Sequence, residues 1–180
     1  RLDDLISFAR KHDMKIGTIR DLIEYRMRYD HLVERISESQ FQSDYGGDWK
    51  LMTYRNTIDG SESYVLQKGQ VVEGEPTLAR VHPISIFDDL LGKPGPRKRT
   101  LQRAMQVVGD HGSGVIVLLT GRRADWGDQG RDEQRNVGIG SQILADLGIE
   151  QMILLSNSQP DVVAIEGYGL DIVDHMPIPE

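Results

Sequence analysis

Val115-Ile116-Val117-Leu118-Leu119 and Met152-Ile153-Leu154-Leu155 are two unbroken apolar runs, and what lies between them decides the fold. Each is too short for a helix and apolar on both faces, as in a strand buried from both sides. Between them, Asp132–Leu147 carries a helical pattern that stops at Gly148, a glycine C-cap. The same grammar extends outward. Leu101, Ala104, Met105 and Val108 share one helix face ahead of Val115. Asp161–Glu166 reads as a short helix before a last strand, Leu170–Val173. Helices alternating with apolar strands imply βαβ-type crossovers.

Upstream of residue 95 the pattern is different. Val33–Glu38 alternates and is polar, as in a half-exposed strand. Gly46-Gly47 reads as a hairpin turn before Trp49–Tyr54, and Asp59-Gly60 as a second turn before Tyr64-Val65-Leu66. Thr77–His82 is a further strand, so this middle portion reads as antiparallel. At the amino end, Leu2, Leu5, Ile6 and Ala9 recur at helical spacing over residues 2–11, and Lys15-Ile16-Gly17 ends that helix. Thr18, three residues before Asp21, predicts a capping box for a helix through Arg28 with Leu22, Ile23 and Met27 as its buried stripe. The expected class is α+β: a mixed sheet with an antiparallel first half and flanking helices, preceded by a short helical tail.

Composition narrows the partners. At 180 residues the chain can bury one sizeable core. A net charge of −7 disfavours nucleic acid and an anionic membrane surface. No apolar run reaches the ~18 residues a membrane helix needs. There is no cysteine, which excludes disulfides and thiolate metal sites and fits the cytoplasm. The chain opens on Arg1 rather than methionine, which predicts a fragment of a longer polypeptide.

Three segments together resemble GTP cyclohydrolase II, an enzyme of riboflavin biosynthesis. They are Ala79-Arg80-Val81-His82 with Asp89 at the family's spacing, Glu133-Gln134-Arg135-Asn136 opening a helix, and Ile153-Leu154-Leu155-Ser156-Asn157 with Gly169–Val173. The resemblance covers roughly residues 45–177. The amino-terminal stretches Phe8–His12 and Lys15–Arg26 look instead like the end of 3,4-dihydroxy-2-butanone 4-phosphate synthase. In bifunctional riboflavin proteins that enzyme precedes the cyclohydrolase. The expected division is therefore 1–38 for the synthase tail and linker and 39–180 for the cyclohydrolase-like domain.

The resemblance implies zinc held by three cysteines, whose bound water opens the imidazole ring of GTP. In register, those positions fall on Ser85 and near Gly95 and Arg97, none of which replaces a thiolate. The family's acidic residue before the first cysteine is Ile84 here, and its Arg-Gln-Glu-Gly-Arg stretch reads Thr120-Gly121-Arg122-Arg123-Ala124. Its phosphate-contacting lysine is replaced by Ser158-Gln159-Pro160-Asp161. Arg135 falls on the family's catalytic arginine, with Asn136 where the family has aspartate. Arg80, His82, Asp89, Ser156 and Asn157 fall on nucleotide-contacting positions. The resemblance thus implies no cofactor (no zinc, and magnesium only with a bound nucleotide), and as partners an upstream synthase domain, a second copy in a homodimer, and GTP or a related nucleotide.

Several features have plainer readings. Arg135 also reads as a surface arginine paired with Asp132, and Arg80 and His82 as polar packing at a strand end. Lys93, Arg97, Lys98, Arg99 and Arg103, around Pro94-Gly95-Pro96, read as an anion site, a solvated loop, or a contact for an acidic partner. Gly138-Ile139-Gly140 lacks the third glycine of a dinucleotide fingerprint and lies inside a helix. Trp126 reads as a cap on the core or a platform for a base. The leading expectation is a degenerate, zinc-less domain that does not turn over GTP and serves a fused synthase as a regulatory, dimerising or docking module. The alternatives are an active cyclohydrolase with another metal arrangement, and a pure dimerisation domain with no ligand.

Overall fold

The structure, a computed structural model, describes residues 2–18, 22, 25, 32–120, 129–157, 165 and 168–179, with backbone alone for residues 2 and 129–137. It divides into two compact units, Arg1–Asp30 and His31–Glu180. The first unit contains helix α1 (Leu2–Lys11), with Asp3 and Asp4 in its first turn and Arg10 and Lys11 in its last, matching the helix dipole. The helix expected over residues 18–28 lies mostly outside the described residues. Leu22, placed on its buried stripe, is 57% exposed.

The second unit is a seven-stranded mixed sheet, and the α+β class expected from the sequence is what the chain adopts. The strands are β1 (Val33–Ser43), β2 (Gly47–Asn56), β3 (Glu62–Lys68), β4 (Thr77–Pro83), β5 (Gly114–Leu119), β6 (Gln151–Leu155) and β7 (Asp171–Met176). Helix α2 (Thr100–His111) lies between β4 and β5, and α3 (Gln129–Asp146) between β5 and β6. The spatial order is β1-β2-β3-β5-β4-β6-β7. Pairings from β1 through β3 to β5 are antiparallel, and those joining β5, β4, β6 and β7 are parallel.

Three expectations are corrected. β4 does not extend the antiparallel meander, because β5 inserts between β3 and β4. Leu78 and Ala79 are buried on opposite faces, which demands a central position, and the return through α2 makes the pair parallel. β1 spans Val33–Ser43, and the two compact units meet at Asp30/His31. β1 is also exposed on both faces nearly throughout, as the edge strand of the sheet. β7 begins at Asp171 and continues to Met176, held by pairing with β6. The helix expected over 161–166 lies outside the described residues except for Ile165, which is buried.

Period-two alternation sorts the core into two layers. On one face, Met52, Val65, Ala79, Val117 and Met152 pack with Ile143 and Leu144 of α3. On the other, Trp49, Leu66, Leu78, Ile116 and Leu155 pack with Ala104, Met105 and Val108 of α2. Two close approaches set the helix positions. A Cβ on Gly140 would lie 2.7 Å from a methyl of Val81, so the glycine run in α3 serves helix–strand packing. A Cβ on Gly109 of α2 would lie 2.4 Å from the Cα of Gly46, at the β1–β2 turn. No helix among the described residues is long and apolar enough to cross a membrane.

Candidate functional site

Arg80 and His82 follow Leu78 at period two, so they face the α2 side of the sheet at the carboxyl end of β4. There the chain leaves β4 and enters one π-helical turn, Ile86–Leu90. Ser85 caps it: the Ser85 hydroxyl accepts from the Asp88 N–H at 3.2 Å and donates to the Asp88 carboxylate at 2.9 Å. The Ser-x-x-Asp spacing is a local N-cap signal legible in the sequence, although the reciprocal bond of a full capping box is replaced here by Asp89, which takes the Ser85 N–H. The turn delivers Asp89 back toward the strand.

The result is a directional hydrogen-bond chain. Arg80 Nη1 donates to the carbonyl of Leu155 at 2.9 Å, tying β4 to the end of β6. Arg80 Nη2 lies 3.2 Å from His82 Nδ1, and His82 Nε2 lies 2.9 Å from Asp89 Oδ2. An arginine only donates, so Nδ1 must accept, which places the ring proton on Nε2 facing the carboxylate. The Ser85 N–H donates to the same Oδ2 at 2.8 Å. His82 is 2% exposed and the Asp89 side chain 8%. Gln102, in the first turn of α2, closes the site by donating to the Asp89 carbonyl at 3.0 Å.

Charge follows from this packing. Burial pushes the Asp89 carboxyl up, but hydrogen bonds from His82 and the Ser85 amide, with the Arg97 charge, outweigh it and hold it below the usual value. The Arg80 guanidinium is lowered to about 10, first by burial and then by the nearby Arg97 cation, with Asp89 opposing. Arg97 lies 3.8 Å from Asp88 and is otherwise open to solvent. Four buried atoms find no hydrogen-bond partner among the described residues: Arg80 Nε, Asp89 Oδ1, Gln102 Oε1 and Arg103 Nε.

Arg80, His82 and Asp89 are therefore brought together. Ser156 follows Leu155, at the far end of the Arg80 contact, and its N–H donates to the Met176 carbonyl at 3.0 Å. Asn157 is turned away to the carboxyl-terminal segment, where its amide donates to the Ile178 carbonyl at 3.0 Å and accepts the Ile178 N–H at 2.7 Å. Arg135 belongs to α3, and its side chain lies outside the described residues, as do residues 121–128 and 158–164. Gln102 and Asp88 had not been singled out: Gln102 reads as an ordinary helix residue until α2 is docked on the π-helical turn. Among the described residues, no group of three or more His, Cys, Asp or Glu is arranged to hold a metal ion.

Comparison with known proteins gives consistent matches. The model of the GTP cyclohydrolase II family matches residues 34–129 and 123–177. A 3,4-dihydroxy-2-butanone 4-phosphate synthase of Photobacterium phosphoreum is 37% identical over 98% of this chain and 52% of its own length. The riboflavin biosynthesis protein RibBA of Bacillus subtilis is 34% identical over 99% of this chain and 51% of its own. Among solved structures, RibBX of A. baumannii, described as a two-domain 3,4-dihydroxy-2-butanone 4-phosphate synthase, superposes with a TM-score of 0.65. It is 31% identical, over 100% of this chain and 50% of that one. The chain thus spans about half the length of these relatives.

Proposed function

The chain belongs to the GTP cyclohydrolase II family, and from that premise we propose that it is a zinc-less domain that does not turn over GTP. It serves a 3,4-dihydroxy-2-butanone 4-phosphate synthase of riboflavin biosynthesis, on the same polypeptide, as a regulatory or assembly module. The observation that carries this is what stands at the family's cysteine positions. Ser85, at the first, has its hydroxyl engaged with Asp88 as a helix cap. Gly95 offers no side chain, and Arg97 carries a cation that leans on Asp88. A hydroxyl already in use, no donor and a positive charge do not fit zinc, whose sites need thiolate, imidazole or carboxylate ligands. No step of ring opening is assigned to this chain.

A direct test is incubation with GTP, magnesium and added zinc, with mass-spectrometric detection of the ring-opened pyrimidine and formate. The expected result is no product above a protein-free control. Product that disappears in Arg135→Ala would overturn the proposal.

One observation favours a second property within this reading, retained affinity for GTP or a related nucleotide. The buried Nε of Arg80 finds no acceptor among the described residues, and burial of an unpaired N–H is costly. A phosphate or base oxygen would supply the acceptor. If so, GTP with magnesium raises the melting temperature, and Arg80→Ala abolishes the rise.

A further inference from the structure

We propose that the Arg80–His82–Asp89 cluster receives a small phosphorylated polyhydroxy compound, its phosphate held by Arg80 and Arg97 and its hydroxyls donating to Asp89 and Gln102. This rests on the reading that Arg80 retains a ligand, and it names a ligand class other than a nucleotide.

The cluster leaves needs of both signs. Arg80 spends Nη1 on the Leu155 carbonyl and Nη2 on His82, and its buried Nε has no acceptor among the described residues. Asp89 spends Oδ2 on His82 and the Ser85 amide, and its buried Oδ1 has no donor among them. Gln102 spends its amide N–H on the Asp89 carbonyl, and its buried Oε1 has no donor either. With the Asp89 side chain 8% exposed, bulk solvent does not answer these atoms. One waiting donor on a cation and two waiting acceptors, one of them on a carboxylate, thus belong to side chains joined by a single run of hydrogen bonds. Their complement is a molecule that carries both an anionic oxygen and O–H groups.

Charge identifies the anchoring group. From Lys93 to Arg103 there are five cations and no carboxylate, in a chain of net charge −7. Arg97 leans on Asp88 at 3.8 Å, and its charge acts on both Arg80 and Asp89. The guanidiniums of Arg80 and Arg97 repel each other, and an anion between them relieves both. The first turn of α2 adds the positive end of its dipole, with no acidic residue and no side-chain cap. Guanidinium forks match phosphate oxygens in geometry as well as charge. A bound water would answer a donor and an acceptor but would bring no charge to offset the cations. Arg97 stands near a cysteine position of the family, so a place that there draws a metal cation here draws an anion.

Size follows from adjacency. Arg97 pairs with Asp88, and the waiting carboxylate oxygen is on the next residue, Asp89. Phosphate and donor groups are therefore neighbours in the ligand, as in a polyol phosphate whose hydroxyls lie on the carbons beside the ester. In a nucleotide the N–H donors of the base are a whole ribose away from the nearest phosphate. A triphosphate also lacks counter-charge here, because Ser158-Gln159-Pro160-Asp161 replaces the family's lysine.

The test is thermal melting and isothermal titration of the full chain with glycerol 3-phosphate, sorbitol 6-phosphate, inorganic phosphate, glycerol, and GTP with magnesium. At least one polyol phosphate should raise the melting temperature and bind about tenfold or more tighter than inorganic phosphate, with glycerol inert. Arg97→Gln changes an exposed side chain and leaves the fold in place; it should weaken the polyol phosphate about tenfold. Gln102→Leu should lower the polyol phosphate to the affinity of inorganic phosphate while leaving inorganic phosphate unchanged, a split that a purely electrostatic role would not produce. Equal affinity for inorganic and polyol phosphates, no shift with either, or binding indifferent to both variants overturns the proposal. A shift with GTP alone also overturns it and leaves the retained-nucleotide reading standing. A shift with polyol phosphates alone supports it and removes that reading. None of these results bears on GTP turnover, which is read from product formation.

Discussion

Replacing Asp89 by alanine removes one oxygen that accepts two buried N–H groups. His82 Nε2 and the Ser85 amide converge on Asp89 Oδ2 at 2.9 and 2.8 Å. Neither has another acceptor described, and the His82 ring is 2% exposed. Leaving a buried donor unpaired costs about 1–3 kcal/mol each, so Asp89→Ala should cost about 2–6 kcal/mol. That is a large share of the roughly 5–15 kcal/mol by which a domain is stable. In a chain of this size it corresponds to a melting temperature lower by very roughly 4–24 °C. The pH dependence gives an independent check. The folded-state carboxyl lies below its unfolded value, so its contribution is fully present above the unfolded pKa and is lost as pH falls through the folded one. Urea unfolding of wild type and Asp89→Ala should differ most at neutral pH and converge in strong acid. A difference below about 1 kcal/mol at neutral pH would refute the reasoning, because it would mean that the two donors are not dependent on this oxygen. A difference undiminished in acid would show that the charged carboxylate is not what the site stabilises.

Two further predictions concern the frame that holds the site. Gly109→Ala would place a methyl 2.4 Å from the Gly46 Cα, where backbone meets backbone and cannot yield cheaply. It should lower stability by about 1–3 kcal/mol, read from thermal or urea unfolding. Tyr54→Phe removes a hydroxyl that donates to Asp146 at 2.6 Å and accepts from Arg35 at 3.0 Å. The same Arg35 reaches Asp146 at 3.1 Å, so the three form one network between β1, β2 and the end of α3. A loss of about 0.5–3 kcal/mol is expected, and a double-mutant cycle with Asp146→Ala should show strong non-additivity. Burial and the bond to Asp146 push the Tyr54 hydroxyl well above its ordinary range, so this loss should not change across neutral pH.

Local chemistry settled much of the architecture. Val115–Leu119 is apolar at every position, so it had to be a strand covered on both faces, and it is central. Gly148 carries the positive φ of 78° that a helix C-cap favours, and α3 ends just before it. Alternation alone put Arg80 and His82 on one face. The resemblance supplied Asp89 as their companion, but neither alternation nor resemblance supplied the bonds between them. Those depend on a π-helical turn whose Ser-x-x-Asp cap is local, and on α2 bringing Gln102 over it. Tertiary structure alone decided that β5 enters between β3 and β4, that Tyr54 meets Asp146 across 92 positions of sequence, and that Asn157 is spent on Ile178. The physical reason is the range of the forces. Caps, turns and alternating faces are set by residues a few positions apart, whereas strand order and the partner of a buried polar atom are set by which distant surfaces must be dry together.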